Sequence, residues 1–346
     1  RMHVMNSKLR VLVTGGAGYI GSHTALQIAA RGAETTILDN LTNSSPRSIE
    51  MISGLTNRKI GFHIDDICQS DNLTKFLSNN APDVVLHFAG LKAVGESVTD
   101  PLKYYLNNVT GTINLLRAMD SCGCQSVIFS SSATVYGNAQ YQPLDEHHPI
   151  SPTNPYGRTK ATVEQIIEDW TRADVGRSGI CLRYFNPVGA HDSGLIGEDP
   201  LGVPNNLFPI LLQVATGHSD RLNVFGNDFP TRDGTGERDY VHVTDLAAGH
   251  VKALEFALEN TGFETFNLGT GSGSTVLEVI RCFEDATGVA IPFQIGPRRA
   301  GDVASSVADP SKARRILGWR AERSLGQACL SSYNWQKRNP TGYEGQ

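Results

Sequence analysis

An α/β fold built on a doubly wound parallel sheet, with a smaller C-terminal α/β substrate domain, is what this sequence predicts, and three observations predict it. Strand-length apolar runs alternate with helix-length segments from the start of the chain. A glycine-rich turn joins the first apolar run to the first helical segment. After Arg183 the alternation gives way to stretches rich in Gly, Pro, Asp and Asn, the texture of loops carrying short elements.

Residues 9–14 read as a buried strand, Tyr19–Ala30 as a helix and Glu34–Asp39 as a second strand. Strands at 60–64, 84–88, 127–130 and 180–183 continue the series, with helices over 101–120 and 154–172 between them. Residues 186–206 and 226–238 read as loops, and helical patterns resume at 243–258, 276–287 and 325–335 around short apolar runs at 266–268 and 291–295. This divides the chain into one domain over 8–185, with returning segments near 239–270, and a second over 186–340 built from non-contiguous segments.

The length of 346 residues is about two domain-lengths. With 40% hydrophobic and 19% charged residues there is apolar material for a packed core. Thirty Lys and Arg against 35 Asp and Glu leave a net charge of −5, which disfavours a broad basic face, so neither nucleic acid nor an anionic membrane is an expected partner. No stretch approaches the roughly 20 apolar residues of a membrane span, and residues 1–10 lack the apolar core of a signal peptide; a cytoplasmic location is the expectation. The six cysteines show neither zinc spacing nor a C-x-x-C pair, so reduced thiols and no metal are expected. The 35 glycines exceed the average usage of roughly 7%, and the first cluster of them carries chemistry.

That cluster is Gly15-Gly16-Ala17-Gly18-Tyr19-Ile20-Gly21, in which Gly16, Gly18 and Gly21 set the Gly-x-Gly-x-x-Gly spacing between a strand and a helix. In this Rossmann context the glycines serve a tight turn, close approach of a pyrophosphate and helix–sheet packing, while the helix N-terminus offers N–H donors to the anion. Asp39, at the end of the second strand, can bind both ribose hydroxyls and repels a 2′-phosphate, which favours NAD over NADP. Asp66-Ile67 and Phe88-Ala89-Gly90 fall at the carboxyl ends of strands, where a cofactor crevice is lined. Asp66 serves an adenine amino group or is a plain loop acid, and Lys92 and Asn107 reach the cofactor or are surface and capping groups; spacing leaves both readings open.

Ser130-Ser131-Ser132 ends the fifth strand, and Tyr156 and Lys160 stand four residues apart at the start of a helix, on one face. A cation there favours the phenolate, pulling Tyr156 below its ordinary pKa of about 10 toward a proton-accepting range. Ser132 is placed to hold a substrate hydroxyl.

With these motifs in place the chain resembles the extended short-chain dehydrogenase/reductases, and within them the UDP-hexose 4-epimerases. The resemblance runs over about 9–335 and is carried by VLVTGGAGYIGSH at 11–23, HFAGLKAVGES at 87–97, SSSATVYG at 130–137, RYFNPVGA at 183–190, PNNL at 204–207, DGTGERDY at 233–240 and RRAGD at 298–302. It implies a redox-neutral epimerisation in which Tyr156 removes the 4-hydroxyl proton, tightly bound NAD takes and returns the C4 hydride, and a 4-keto sugar turns over in between. It implies cofactor contacts from Gly15, Gly18, Tyr19, Ile20, Gly21, Asp39, Asn40, Asn43, Ser44, Asp66, Ile67, Phe88, Ala89, Gly90, Lys92, Asn107, Ser130, Tyr156, Lys160 and Tyr184. For the UDP-sugar it implies Lys92, Ser132, Tyr156, Asn186, Asn206, Leu207, Asn223, Phe225, Arg238, Arg299, Asp302 and Ser306, with the arginines on the diphosphate.

In that family a bulky Tyr at the Ser306 position goes with glucose and galactose alone, and a small residue with N-acetylated sugars as well; Ser306 therefore implies UDP-GlcNAc and UDP-GalNAc as further substrates. A nucleotide-sugar dehydratase or decarboxylase shares the fold but needs acid/base residues where this chain has Ala133 and Thr134. A non-catalytic dinucleotide sensor has no need of the Tyr156/Lys160 pair. The family's dimers imply a homodimer through the helices over 101–120 and 154–172.

Overall fold

The computed structural model describes Met5 and residues 8–202, 204, 206–299 and 301–345. Asn205 and Ala300, inside two of the motifs quoted above, lie outside the described residues.

The first half of the chain runs β1 (Arg10–Thr14), α1 (Tyr19–Ala30), β2 (Glu34–Asp39), α2 (Arg47–Thr56), β3 (Gly61–Ile64), α3 (Ser70–Asn80) and β4 (Val84–His87). It continues through α4 (Val94–Thr99), α5 (Pro101–Tyr104), a π-helical turn over Tyr105–Thr110, α6 (Gly111–Cys122), β5 (Ser126–Ser132), α7 (Pro155–Arg172) and β6 (Ser178–Tyr184). Helices α2, α3 and α4 lie in stretches where the sequence analysis placed no element.

The second half holds β7 (Asn186–Val188), α8 (Leu207–Ala215), β8 (Leu222–Phe225), β9 (Glu237–His242), α9 (Val243–Glu259), β10 (Gly262–Leu268), β11 (Gly273–Thr275) and α10 (Val276–Thr287). It closes with β12 (Phe293–Gly296), β13 (Ser305–Ser306), α11 (Ser311–Leu317) and α12 (Leu325–Arg338).

Seven parallel strands form the main sheet in the order β10-β6-β5-β4-β1-β2-β3. The order reverses between β1 and β4, the switch point where doubly wound sheets open a ligand crevice at their carboxyl ends. Both faces are covered, and period-2 alternation sorts the side chains between them. Val11, Val13, Leu86 and Ile128 pack on one side, and Leu12, Val85, Val127 and Phe129 on the other. β5 extends through the triple serine, past the stop expected at 130, because Ser131 and Ser132 pair with Arg183 and Tyr184 of β6; ladder pairing outweighs the weak strand preference of serine.

β9 pairs with β7, β11 and β13, and β8 with β12, in two small sheets. A separate apolar cluster built on Phe208, Leu211, Val279 and Phe283 lies between these strands and α8, α10 and α12. Among the described residues no helix is long and apolar enough to cross a membrane.

Candidate active site

The glycine turn is fixed by two close approaches. Gly15 has φ +68°, and a Cβ there would sit 2.5 Å from Ala89 N at the end of β4. At Gly21 a Cβ would meet the Gly15 carbonyl oxygen at 2.3 Å. Gly18 differs: its nearest obstacle is the Gly15 carbonyl oxygen at 3.4 Å, and it caps α1 without any side-chain hydrogen bond. The first N–H groups of α1 are thus left for an anion, and the bare backbone at Gly18 gives that anion access. This cradle, which a side chain would fill, fits the diphosphate of a dinucleotide.

Asp39 closes the turn from β2. Its Oδ2 accepts from Ala17 N at 3.0 Å, and its Oδ1 accepts from Leu41 N at 2.9 Å and from the Ser44 hydroxyl at 2.8 Å. The carboxylate is therefore oriented by the same turn it would share with a ribose, with one lone pair on Oδ2 to spare. Asn40 donates to Asp66 at 3.0 Å, and Cys68 N donates to Asp66 at 2.8 Å. Burial pushes the Asp66 carboxyl up, but these hydrogen bonds outweigh it and hold the group below the ordinary carboxylate range. Gly18, Tyr19, Asn43, Ser44 and Lys92 line one cavity with Glu198, whose carboxylate lies 3.6 Å from Lys92 Nζ.

The reacting groups stand on the ends of β5 and α7. Asn154 caps α7, accepting from Gly157 N at 2.8 Å, and Ser97 accepts from Tyr156 N at 3.2 Å, so the first turn of α7 is held from two sides. Ser132 Oγ accepts from Thr134 N at 3.1 Å and from the Thr134 hydroxyl at 2.9 Å. With both lone pairs engaged, its own proton is free to face Tyr156, whose pKa Ser132 lowers. Lys160 is buried over the Phe129 ring and donates to the Ser130 carbonyl at 2.6 Å.

The electrostatics correct one expectation. Tyr156 is not pulled below its ordinary value: burial pushes the phenol up to about 12, only partly offset by Ser132. Lys160 is itself affected, since burial pushes its ammonium down to about 8 against the opposing charge of Glu164. Desolvation dominates at both groups, so a depressed phenol needs a further positive charge. His87, bridging Thr14 at 2.7 Å and Thr112 at 2.9 Å, is pushed down to about 3 by burial and adds none.

Four residues to which the sequence analysis gave no part in the site hold this centre together. Asn108 accepts from Leu91 N at 2.8 Å and donates to Thr159 at 3.1 Å, tying the β4 loop to α7. It points inward from the π-helical turn, which nothing in the sequence signals. Thr134, considered there only as a missing acid, directs the Ser132 proton. Glu164 and Arg183 form a buried pair behind Lys160; the 156, 160, 164 spacing on α7 is the signal that could have found Glu164.

The positions from residue 186 onward that are expected to meet the UDP-sugar lie on the smaller sheets, α8 and their loops. Asn186 is exposed at the start of β7, and Asn206 caps α8, above Leu207, without a side-chain hydrogen bond. Arg238 donates to the Val303 carbonyl at 2.9 Å, and its strand places Ser306 in register beside it. Arg299 makes a two-pronged pair with Asp302 at 3.0 and 3.2 Å and lies over the Phe225 ring, while Asn223 accepts from Gln294 at 2.6 Å. Tyr184 is held through its hydroxyl by His250, and Asn107 lies 3.9 Å from the Cys68 sulfur.

Comparison with known proteins extends over nearly the whole chain. A family model described as GDP-mannose 4,6 dehydratase matches residues 12–331. A UDP-glucose 4-epimerase of Bacillus subtilis is 51% identical over 336 residues, which span 97% of this chain and 99% of that one. Among solved structures, a UDP-glucose 4-epimerase of Stenotrophomonas maltophila with bound NAD and formylated UDP-arabinopyranose superimposes with a TM-score of 0.94 at 48% identity, covering 96% of this chain and 99% of that chain. One from Bifidobacterium longum in complex with NAD+ and UDP gives 0.92 at 47% identity, with 96% and 99% covered.

Proposed function

Because the chain belongs to the UDP-glucose 4-epimerases of the extended short-chain dehydrogenase/reductases, we propose that it interconverts UDP-glucose and UDP-galactose and, through Ser306, UDP-GlcNAc and UDP-GalNAc. The observation that carries this reading is the convergence of Ser132 at the end of β5 with Tyr156 and Lys160 on α7, where Lys160 donates to the Ser130 carbonyl, at the end of a crevice whose glycine turn closes on Asp39. NAD, when bound, accepts and returns the hydride at sugar C4 and brings positive charge beside the phenol.

The chain's own residues do the rest. The turn from Gly15 to Gly21 binds the diphosphate through backbone N–H groups, and Asp39 with Asn40, Asn43 and Ser44 holds the adenosine ribose. Asp66 and Ile67 face the adenine. Phe88, Ala89, Gly90, Lys92, Asn107, Ser130, Lys160 and Tyr184 line the other end. Tyr156 takes the proton of the 4-hydroxyl, which Ser132 orients. Arg238 and Arg299 bind the UDP diphosphate, Asp302 the uridine ribose, and Asn186, Asn206, Leu207, Asn223 and Phe225 complete the UDP-sugar site. This assigns the dinucleotide to 8–185 with segments near 239–270, and the sugar nucleotide to 186–340.

Support for the N-acetyl substrates comes from the register of β13. Ser305 turns its hydroxyl to Glu237 at 2.6 Å, so Ser306, one residue on, faces the other way, beside Arg238. The dehydratase reading, despite the family model's description, lacks its chemistry: Ala133 and Thr134 form a short 3-10 turn, and the Thr134 hydroxyl is committed to Ser132. A cytoplasmic location accords with six free cysteines. A homodimer accords with the exposed apolar side chains of Val98, Leu102, Leu106 and Ile113.

Purified protein given UDP-galactose and no added NAD tests the proposal. UDP-glucose is the expected product. Retained NAD with no turnover supports a dinucleotide sensor instead, and a product profile across all four UDP-sugars tests the role of Ser306.

A further inference from the structure

Behind the Tyr156/Lys160 pair lies a buried charge cluster that the proposed chemistry does not use. Glu164, one helical turn beyond Lys160 on α7, accepts from Arg183 Nε at 3.0 Å and from Arg183 Nη2 at 2.7 Å. The Ser131 hydroxyl, on β5, also donates to Glu164. Both charged side chains are about 95% buried. Ser131 and Arg183 are register partners on adjacent strands, so one carboxylate fastens α7 to β5 and β6 at once. Arg183 Nη1 carries the network on to the Tyr136 hydroxyl at 3.1 Å, and Tyr136 donates to Asn267 of β10 at 2.5 Å.

A fold seeking only stability has little use for such a cluster, because apolar residues of similar volume commonly replace a buried ion pair at no loss. Its place is informative. Ser131 lies between Ser130, whose carbonyl holds Lys160, and Ser132, which acts on the Tyr156 phenol.

We propose that Glu164, paired with Arg183, is a positioning residue for the reaction: it seats the end of β5 against α7, fixing Ser132, Tyr156 and Lys160 relative to one another, and it supplies the negative charge that balances Lys160. This rests on the epimerase reading above. Lys160 faces Glu164 and Tyr156 on its own helix, Cys181 from β6, His87 from β4 and the Ser130 carbonyl from β5. Cys181 is held uncharged by burial, as is His87, so Glu164 is the anion among these groups. Removing a negative charge lowers the pKa of every titrating neighbour, so both the acidic and alkaline limbs of the rate profile should move to lower pH.

The test compares wild type, Glu164→Gln and the charge-free double variant Glu164→Leu/Arg183→Met. The double variant removes both ends of the pair and should melt close to wild type. For each, kcat with UDP-galactose is measured against pH, together with UDP affinity by calorimetry. Both variants are expected to lose at least about tenfold in kcat with UDP affinity unchanged; Glu164→Gln, which removes a charge, should show limbs displaced to lower pH by roughly half to one unit, whereas the double variant, which removes one charge of each sign, should keep its limbs closer to wild type. Either folded variant with wild-type kcat overturns the proposal, and a rate loss in Glu164→Gln with unmoved limbs reduces the pair to packing and overturns it too. A wild-type protein without turnover sinks the epimerase reading itself, a different and separately visible failure.

Discussion

Tyr156 has to give up a proton that its own surroundings hold in place, since burial pushes the phenol up to about 12. Tyr156→Phe removes the proton acceptor and leaves the ring, the Ser97 contact through the backbone and the α7 cap intact. The kcat should fall by about 10²- to 10⁴-fold, the span of a lost general base, with UDP affinity by calorimetry unchanged; a loss below tenfold would assign proton removal elsewhere. Ser306→Tyr fills the space beside Arg238, so the expected result is abolished turnover of UDP-GalNAc with UDP-galactose turnover retained, read from the products of each. At this scale the i, i+4 pair and the serine strand end were legible because they are local spacings. The direction of the Tyr156 shift was not legible, because it depends on packing: Phe129 beneath Lys160 and the burial of both groups come from β5, distant in sequence.

The turn between β1 and α1 lets two roles of glycine be separated. At Gly21 an added methyl runs into the Gly15 carbonyl oxygen, so Gly21→Ala forces the first turn of α1 outward. Overpacking of this kind costs about 1 to 3 kcal/mol, visible as a lowered Tm. Gly18 has an extended backbone at φ −75°, which any residue adopts, and open space for a Cβ. Gly18→Ala should therefore keep Tm near wild type while lowering the NAD released on denaturation, measured by absorbance; equal effects on Tm at both positions would show that the turn discriminates by strain and not by ligand approach. The helix Tyr19–Ala30 was read from sequence to the residue, because the glycine turn marks where it opens, although it is buried nearly all round. The helix expected over 101–120 is broken by the π-helical turn at Tyr105–Thr110, where Asn108 is drawn inward by Leu91 and Thr159, contacts that no local pattern encodes.

Over the whole molecule, the alternation of runs made the parallel sheet legible, while the way β10 returns to pair with β6, and the assembly of the small sheets around β9, required partners more than 30 residues apart in sequence. One further surface bears on assembly. Val98, Leu102 and Leu106, spaced by four, are 61%, 78% and 61% exposed, and Ile113 extends the row onto α6. A side chain of this kind gains about 1.5 to 3 kcal/mol when fully buried, so a row of them is more than a scatter of single apolar residues and fits a second copy docking by two-fold symmetry. Charge placed there should be tolerated by the monomer, since none of these side chains belongs to the core. Leu102→Asp/Leu106→Asp is therefore expected to run as a monomer by light scattering with an unaltered circular dichroism spectrum, against a dimer for wild type. A wild-type monomer, or a variant that still dimerises, would place the interface elsewhere or remove it. Because the residues proposed for UDP, Arg238 and Arg299 with Asp302 among them, are also held within one chain, the monomeric variant should still bind UDP, which calorimetry on the same sample would show.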